Sequence, residues 1–226
     1  MSDVEQVDQD VIEVDEGREA LLSELADELG GDIIESFVKP GDDVWIRVSR
    51  EAWVPTADVL KNRLGYEFFN FLSAIDWLPS PFGRDMDSQV DVAMLKAQGE
   101  EPDAPDTTIE TGYAGGDTRF QIFARVNDIN SERAVTIKCD LPDGDLSIPT
   151  WIPVYPGANW HEREAMEMFG ISFTGHPNPR KLYLPGDFQG HPMRKDFALL
   201  SRRIKPWPGI VDVEPMPGDG EEGGDE

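Results

Sequence analysis

The chain has 226 residues, a formal net charge of -25 and a single cysteine, Cys139. One cysteine excludes an internal disulfide, and it also excludes an iron–sulfur cluster or a multi-thiolate zinc site held by this chain alone. The apolar runs are much shorter than the roughly 20 residues of a membrane helix, and the first residues lack the layout of a signal peptide. We therefore expect a chain that is soluble or peripheral to a larger assembly.

The charge is distributed unevenly along the chain. Residues 1–29 hold eleven acidic residues and one basic residue, whereas residues 171–211 hold seven basic residues and two acidic ones. Ends with little apolar surface cannot offset the entropy that is lost on ordering. We predict four segments: an acidic flexible N-terminus (1–18), a globular domain (19–170), an extended basic docking arm (171–211) and an acidic disordered tail (212–226).

Apolar periodicity predicts the elements of the globular domain. Leucines share one face of a helix over 19–29, which Gly30 ends, and residues 43–49 alternate as in a strand. Pro55 and Thr56 are typical of a helix start, and that helix reaches about Leu64. Further along, we predict an aromatic strand (66–78), a loop or insertion rich in Pro, Gly and Asp (79–117) and an antiparallel hairpin (119–126 and 133–139).

A helix over residues 158–170 has a marked start and a marked end. Asn159 is a candidate N-cap, and Glu162 lies three residues later, as in a capping box. Gly170 suits the left-handed position that follows a helix, and Ile171 suits the apolar position after it. We therefore predict a well-defined helix with both ends capped by local sequence.

The same helix contains the candidate acid–base groups Glu162, Arg163 and Glu164. The competing interpretation is a surface helix in which Arg163 forms an ion pair with Glu167 one turn later. Because the sequence offers neither a cleft nor a partner nucleophile, we favour the surface helix over general acid–base catalysis. The nucleotide-binding and nucleophile motifs are also missing from the sequence.

The docking arm contains Gly-His-Pro twice, at His176 and at His191, and a basic pair follows each copy (Arg180–Lys181 and Arg194–Lys195). Prolines deny this segment long helices and central strands. Since the arm also carries many apolar side chains, we predict that it lies across a protein partner. We interpret each copy as a turn whose basic residues bind acidic partner groups, so Arg194→Glu is expected to weaken assembly without harming the fold.

Two other interpretations of this region remain open. His161, His176 and His191 are equally spaced, which allows a three-histidine zinc site and a stand-alone zinc hydrolase that uses Glu164. Nucleic-acid binding by the basic arm is disfavoured, because the strong net negative charge repels phosphates.

Residues 162–197 resemble the thirty-kilodalton subunit of respiratory complex I, which in bacteria is the C subunit of the proton-pumping NADH–quinone oxidoreductase. The resemblance extends upstream through the hairpin and the aromatic strand, but it does not cover the acidic ends or the insertion. The matching residues are Glu162-Arg163-Glu164, Glu167, Met168-Phe169, His176, Arg180, Lys181, Leu182-Tyr183, Gly190-His191-Pro192 and Arg194-Lys195-Asp196-Phe197.

The resemblance implies an α+β fold with a mixed, largely antiparallel sheet, flanking helices and a long irregular C-terminal extension. It implies a hydrophilic subunit without a cofactor or catalytic residue, in the peripheral arm on the cytoplasmic side of the cell membrane, attached to the membrane only through the complex. The implied partners are the large quinone-site subunit, of the forty-nine-kilodalton type, and neighbouring subunits with FMN and iron–sulfur clusters, which pass electrons from NADH to quinone. The equivalent subunit of a membrane-bound hydrogenase, or of a quinone reductase with another donor, is the alternative.

Overall fold

The computed structural model describes residues 15–81, 94–99, 101, 108–131 and 133–197. The described residues fall into two compact units: those within 1–78 and 109–194, and those within 79–108 and 195–226. Most of the predicted acidic N-terminus, the C-terminal part of the docking arm and the acidic tail lie outside the described residues. Residues 171–194 of the predicted arm belong to the same compact unit as the globular domain.

The first unit is built on a five-stranded sheet. Its strands, in chain order, are β1 (Ile33–Val38), β2 (Val44–Val48), β3 (Phe68–Asp76), β4 (Phe120–Asp128) and β5 (Arg133–Leu141). Their order in the sheet is β1-β2-β5-β4-β3. The pairing of β2 with β5 is parallel and the other three pairings are antiparallel. This confirms the predicted α+β fold with a largely antiparallel sheet.

In the described part of this unit, three helices and a small second sheet accompany the large sheet. The helices are α1 (Glu16–Leu29), α2 (Trp53–Asn62) and α3 (Ala158–Phe169), and a 3-10 turn (Gly30–Asp32) follows α1. Two short parallel strands, β6 (Ser147–Pro149) and β7 (Ser172–Thr174), flank α3 in the sequence. Helix α1 begins at Glu16, which is earlier than predicted, because the Asp15 side chain accepts the Arg18 backbone N–H as an N-cap.

One face of the large sheet forms the hydrophobic core. Alternate residues of neighbouring strands fall in register, so Ile46, Ile137, Ala124 and Leu72 form one continuous apolar row. All four side chains are buried. Each fully buried branched side chain contributes roughly 1.5–3 kcal/mol. The leucines of α1 and Trp53, Ala57 and Leu60 of α2 pack in the same core.

The opposite face of the sheet carries buried polar side chains. Arg47 forms ion pairs with Glu35 and Asp140, at 2.9 and 2.6 Å. Lys138 is 2% exposed and donates hydrogen bonds to the carbonyl oxygens of Tyr113 (2.7 Å) and Gly115 (2.9 Å). The end of the predicted insertion therefore covers this face and belongs to the fold.

Strand β1 was not predicted, because polar residues interrupt its apolar alternation. Glu35 and Ser36 lie in the middle of the strand, and both are exposed. In the second unit, residues 94–98 form a short helical turn. Within the described ranges, no helix has both the length and the apolar character that are needed to cross a membrane.

Candidate functional site

Helix α3 carries the acidic and basic motif of the predicted site, and three side-chain stripes divide its surface. The first stripe, which consists of Ala158, Glu162, Ala165 and Phe169, is buried against the core. Residues three or four positions apart share a helical face, so a glutamate in this stripe must enter the protein interior. Glu162 is indeed fully buried.

Glu162 binds the segment that precedes the helix. Its carboxylate accepts hydrogen bonds from the Thr150 hydroxyl and from the backbone N–H of Trp151, both at 2.6 Å. The predicted capping box is therefore wrong: the N-cap is Gly157, without a side-chain hydrogen bond. Burial raises the pKa of Glu162 to about 7, while the two hydrogen bonds oppose that rise.

The second stripe of α3, which consists of Arg163 and Glu167, binds residues 180–184 of the predicted arm. Arg163 donates hydrogen bonds from Nε and Nη2 to the carbonyl oxygens of Arg180 (3.0 Å) and Lys181 (3.3 Å). Glu167 accepts the three consecutive backbone N–H groups of residues 182–184, at 2.6 to 2.9 Å. The predicted surface ion pair between Arg163 and Glu167 is therefore wrong, because both side chains are buried and bind the arm.

Glu167 stays ionised in this environment. Burial alone would raise its pKa, but the backbone N–H groups of Tyr183, Leu182 and Leu184 hold the pKa below its ordinary value. A carboxylate that accepts several backbone N–H groups is a strong anchor, because hydrogen bonds to an ionised acceptor are stronger than neutral ones. Glu167 thus fixes the chain direction over residues 182–184.

The two Gly-His-Pro copies bind opposite ends of α3. His176 Nε2 donates to the carbonyl oxygen of Asn159 at 3.3 Å, while its Nδ1 accepts the Asn178 N–H at 3.0 Å. His191 Nδ1 donates to the carbonyl oxygen of Glu167 at 2.8 Å. The glycine before each histidine has a left-handed φ, 86° at Gly175 and 96° at Gly190, which favours glycine over other residues.

The C-terminal end of α3 is capped by the second copy. Arg194 Nε donates to the carbonyl oxygen of Phe169 at 2.6 Å, and the Met193 N–H donates to the carbonyl oxygen of Met168 at 3.2 Å. Gly170 has φ 79°, as predicted for the residue after the helix. A Cβ at Gly170 would collide with the side chains of Arg194 and His191. Any other residue at this position would therefore have both a strained backbone and a steric clash.

These contacts change what is expected of the basic residues in the arm. The Lys181 ammonium donates to the carbonyl oxygens of Pro185, Gly186 and Phe188 within the arm. Since Arg194 caps α3 and its guanidinium lies 5.2 Å from the centre of the Phe120 ring, Arg194→Glu must also disturb the fold. The sequence had led us to expect that Arg194→Glu would weaken assembly and leave the fold intact. The structure shows instead that this substitution cannot separate an effect on docking from an effect on folding.

Other predicted site residues are more accessible. Arg180 is exposed, as are Lys195 and Asp196, which belong to the second unit. Glu164 and the exposed Trp160, four residues apart, form the third, outward stripe of α3, and Glu164 accepts a hydrogen bond from the Tyr183 hydroxyl at 3.0 Å. Their predicted role in docking stays a prediction.

The zinc alternative finds no ligand set among the residues that the structure describes. His176 and His191 bind the two ends of α3, and the ring of His161 lies edge-on to Phe69, with centroids 5.3 Å apart. In the same described ranges, no group of three or more His, Cys, Asp or Glu side chains is arranged to hold a metal ion.

Sequence reasoning missed the partners of the motif. Thr150 and Trp151 anchor Glu162, yet neither carries a signal that links it to a glutamate eleven or twelve residues later. Trp160 is 68% exposed on the outward stripe of α3. Its helical spacing from Glu164 was a usable signal, since residues four positions apart share a face.

Comparison with known proteins adds an independent finding. The family model described as "Respiratory-chain NADH dehydrogenase, 30 Kd subunit" matches residues 46–203. A curated relative from Cronobacter sakazakii, named as the C/D subunit of NADH-quinone oxidoreductase, is 42% identical over 88 residues. Those residues are 39% of this chain and 15% of that protein, so the chain matches only a small part of the relative's length.

Two solved structures are also similar to the chain. One, described as Nqo5 of the trypsin-resistant fragment (1-134), has 20% identity and a TM-score of 0.48, and the match covers 71% of this chain and 97% of that one. The other comes from the membrane-bound sulfane sulfur reductase, an archaeal respiratory membrane complex. It has 18% identity and a TM-score of 0.55, with 82% of this chain and 88% of that one covered, and this likeness concerns the fold alone.

Proposed function

Because the chain belongs to the family of the respiratory-chain NADH dehydrogenase 30 Kd subunit, we propose that it is a cofactor-free hydrophilic subunit of a proton-pumping NADH–quinone oxidoreductase. In this role it supports the peripheral arm of the complex. Partner subunits carry the FMN and the iron–sulfur clusters that pass electrons from NADH to quinone. The family match over residues 46–203 carries the proposal.

The geometry of α3 supports a structural role rather than a catalytic one. Glu162, Arg163 and Glu167 are buried, and each forms hydrogen bonds with the chain itself. A general acid or base must reach a proton on a substrate, and these three side chains face protein groups instead. We therefore assign them to the construction of a docking surface.

The proposed partner is a separate subunit of the D type, which corresponds to the large quinone-site subunit of the forty-nine-kilodalton type. The relatives named C/D join two subunit letters in the name of one polypeptide, and this chain matches 15% of its length. Two parts that form one chain in a relative are plausible contact partners when they occur as two chains. Association with the membrane, on its cytoplasmic side, then follows through the complex.

The single thiol of the chain fits a subunit that leaves redox chemistry to its partners. Cys139 is buried in β5, and burial raises the pKa of its thiol to about 12. A neutral buried thiol is a poor metal ligand, because thiolate is the coordinating form. Metal and flavin analysis of the purified chain tests this point: we expect much less than one zinc, iron or flavin per chain, and a stoichiometric amount of any of them contradicts it.

The alternative is the equivalent subunit of a membrane-bound hydrogenase or of a quinone reductase with another electron donor. The fold is shared with a subunit of an archaeal respiratory membrane complex, so fold alone does not separate these enzymes. These enzymes can be separated by affinity purification of the chain from its own mildly solubilised membranes, followed by mass spectrometry. Flavin and iron–sulfur subunits that oxidise NADH support the proposal, and hydrogenase subunits favour the alternative.

A further inference from the structure

Three large apolar side chains are exposed along α3 and the segment that it holds. Trp160 is 68% exposed, Tyr183 61% and Met193 51%. Large exposed apolar side chains that lie together mark interaction surfaces. The three side chains come from two separate stretches of sequence, so their proximity is a product of the fold.

The contacts of α3 place these side chains along one line. Trp160 and Glu164 are four residues apart and therefore share the outward stripe of the helix, and Met168, one turn further along, is partly buried and packs against the core. The Tyr183 hydroxyl donates to Glu164, and the Met193 backbone N–H donates to the Met168 carbonyl. The Trp160 and Met168 positions lie about 12 Å apart along the helix axis, at 1.5 Å per residue.

Hydrogen bonds to α3 also hold the backbone of this surface. The Tyr183 backbone N–H is bound by Glu167, and the turn before Met193 is bound through His191. Side chains on a preformed surface lose less conformational entropy on binding than side chains on a mobile arm. The buried Glu167 and the partly buried His191 thus hold the backbone that carries the exposed Tyr183 and Met193.

The chemistry of this surface matches that of a protein interface. Tryptophan, tyrosine and methionine are enriched at interface centres, and aromatic anchors carry much of the binding energy. Residues 176–194 contain three basic residues and one acidic residue, but Lys181 and Arg194 donate to carbonyl oxygens of the chain itself and the outward stripe carries Glu164. A partner surface with an apolar recess and a mixed polar rim would complement this surface.

We propose that Trp160, Tyr183 and Met193 form the centre of the surface that binds the subunit of the D type. This inference rests on the proposed function, because the relatives named C/D supply the argument for that occupant. It goes beyond the proposed function by moving the contact from the charged residues of the arm to the outward stripe of α3.

The test is a binding assay between the full chain and the D-type subunit encoded in the same genome. We expect Trp160→Ala and Tyr183→Ala each to weaken binding about tenfold or more. Tyr183→Phe keeps the ring and removes only the hydroxyl, so it should bind within about threefold of the unsubstituted chain. The matched control is Ile129→Ala, which truncates another apolar side chain, 65% exposed, in the β4–β5 turn, and it should leave affinity unchanged.

The outcomes separate the two proposals. If the unsubstituted chain binds the D-type subunit and both alanine variants bind equally well, the surface is wrong and the proposed function stands. If the unsubstituted chain does not bind at all, the proposed partner fails and this inference fails with it. If sedimentation shows a homodimer that Trp160→Ala abolishes, the occupant is a second copy and the inference is overturned.

Discussion

His176 and His191 hold opposite ends of the same helix. The first donates to the carbonyl oxygen of Asn159 at the start of α3, and the second donates to the carbonyl oxygen of Glu167 near its end. These acceptors are eight residues apart, which is about 12 Å along a helix. The repeated Gly-His-Pro phrase is therefore a pair of matched anchors for one segment.

Glu167 is expected to be the main anchor of residues 182–184. In Glu167→Ala three backbone N–H groups lose their acceptor, so this segment should leave the helix while the sheet stays folded. Each hydrogen bond to a charged group is worth about 1.5–3 kcal/mol, and one such loss alone makes local opening roughly 10 to 150 times more frequent. With three lost, opening should become at least about 100-fold more frequent. Hydrogen exchange followed by mass spectrometry measures this change directly.

Glu164→Ala is the matched control for that experiment. Glu164 lies on the same helix but accepts only the exposed Tyr183 hydroxyl, so exchange at residues 182–184 should change by less than about threefold. Equal protection in Glu167→Ala and Glu164→Ala would contradict the role assigned to Glu167.

Any side chain at Gly170 is expected to lower the stability of the fold. Its φ of 79° is strained for other residues, and a Cβ would collide with Arg194 and His191. We expect Gly170→Ala to lower the free energy of unfolding by at least about 2 kcal/mol in denaturant titrations. Gly186→Ala is the control, because no heavy atom lies within 4 Å of its Cβ position, and it should change stability by about 0.5 kcal/mol or less. Equal losses in both variants would contradict this account.

Glu162 is expected to make stability depend on pH. Its folded pKa of about 7 lies above the ordinary value of 4.5, so the folded state binds this proton more tightly than the unfolded state. The resulting stabilisation is complete below about pH 4.5 and is lost as pH rises through 7. Relative to Glu162→Gln, the unsubstituted chain should lose about 3 kcal/mol over that range.

A second variant checks the cause of this dependence. The Thr150 hydroxyl lowers the pKa of Glu162 by donating to it, so Thr150→Val should move the loss of stability to higher pH. Unfolding titrations at several pH values measure both effects. If the chain and Glu162→Gln show parallel stability curves, the buried carboxyl does not titrate as described.

More of the fold than of the candidate site could be predicted from the sequence. Strict alternation in β4 and β5 predicts the hairpin, and the left-handed glycine after α3 is marked by its residue type. The site depends instead on backbone carbonyl and N–H groups, which every residue has. His176, His191 and Arg194 all donate to backbone carbonyl oxygens. The donors can therefore be recognised from their residue types, whereas the acceptors cannot.

Burial was the second source of error at the site. Glu162 and Glu167 have the spacing of ordinary surface charges, and local rules assign them to a cap and an ion pair. Their real partners lie eleven to seventeen residues away in the sequence. Only the packing of α3 against both the core and the arm turns these carboxylates inward.

Deletion of the gene for this chain tests the central claim most directly, with NADH-dependent quinone reduction measured in isolated membranes. The account predicts that this activity is lost, that the flavin and iron–sulfur subunits detach from the membrane fraction, and that the unsubstituted chain restores both when it is supplied again. Membranes that reduce quinone with NADH at the normal rate without this chain would contradict the claim that it is a required structural subunit.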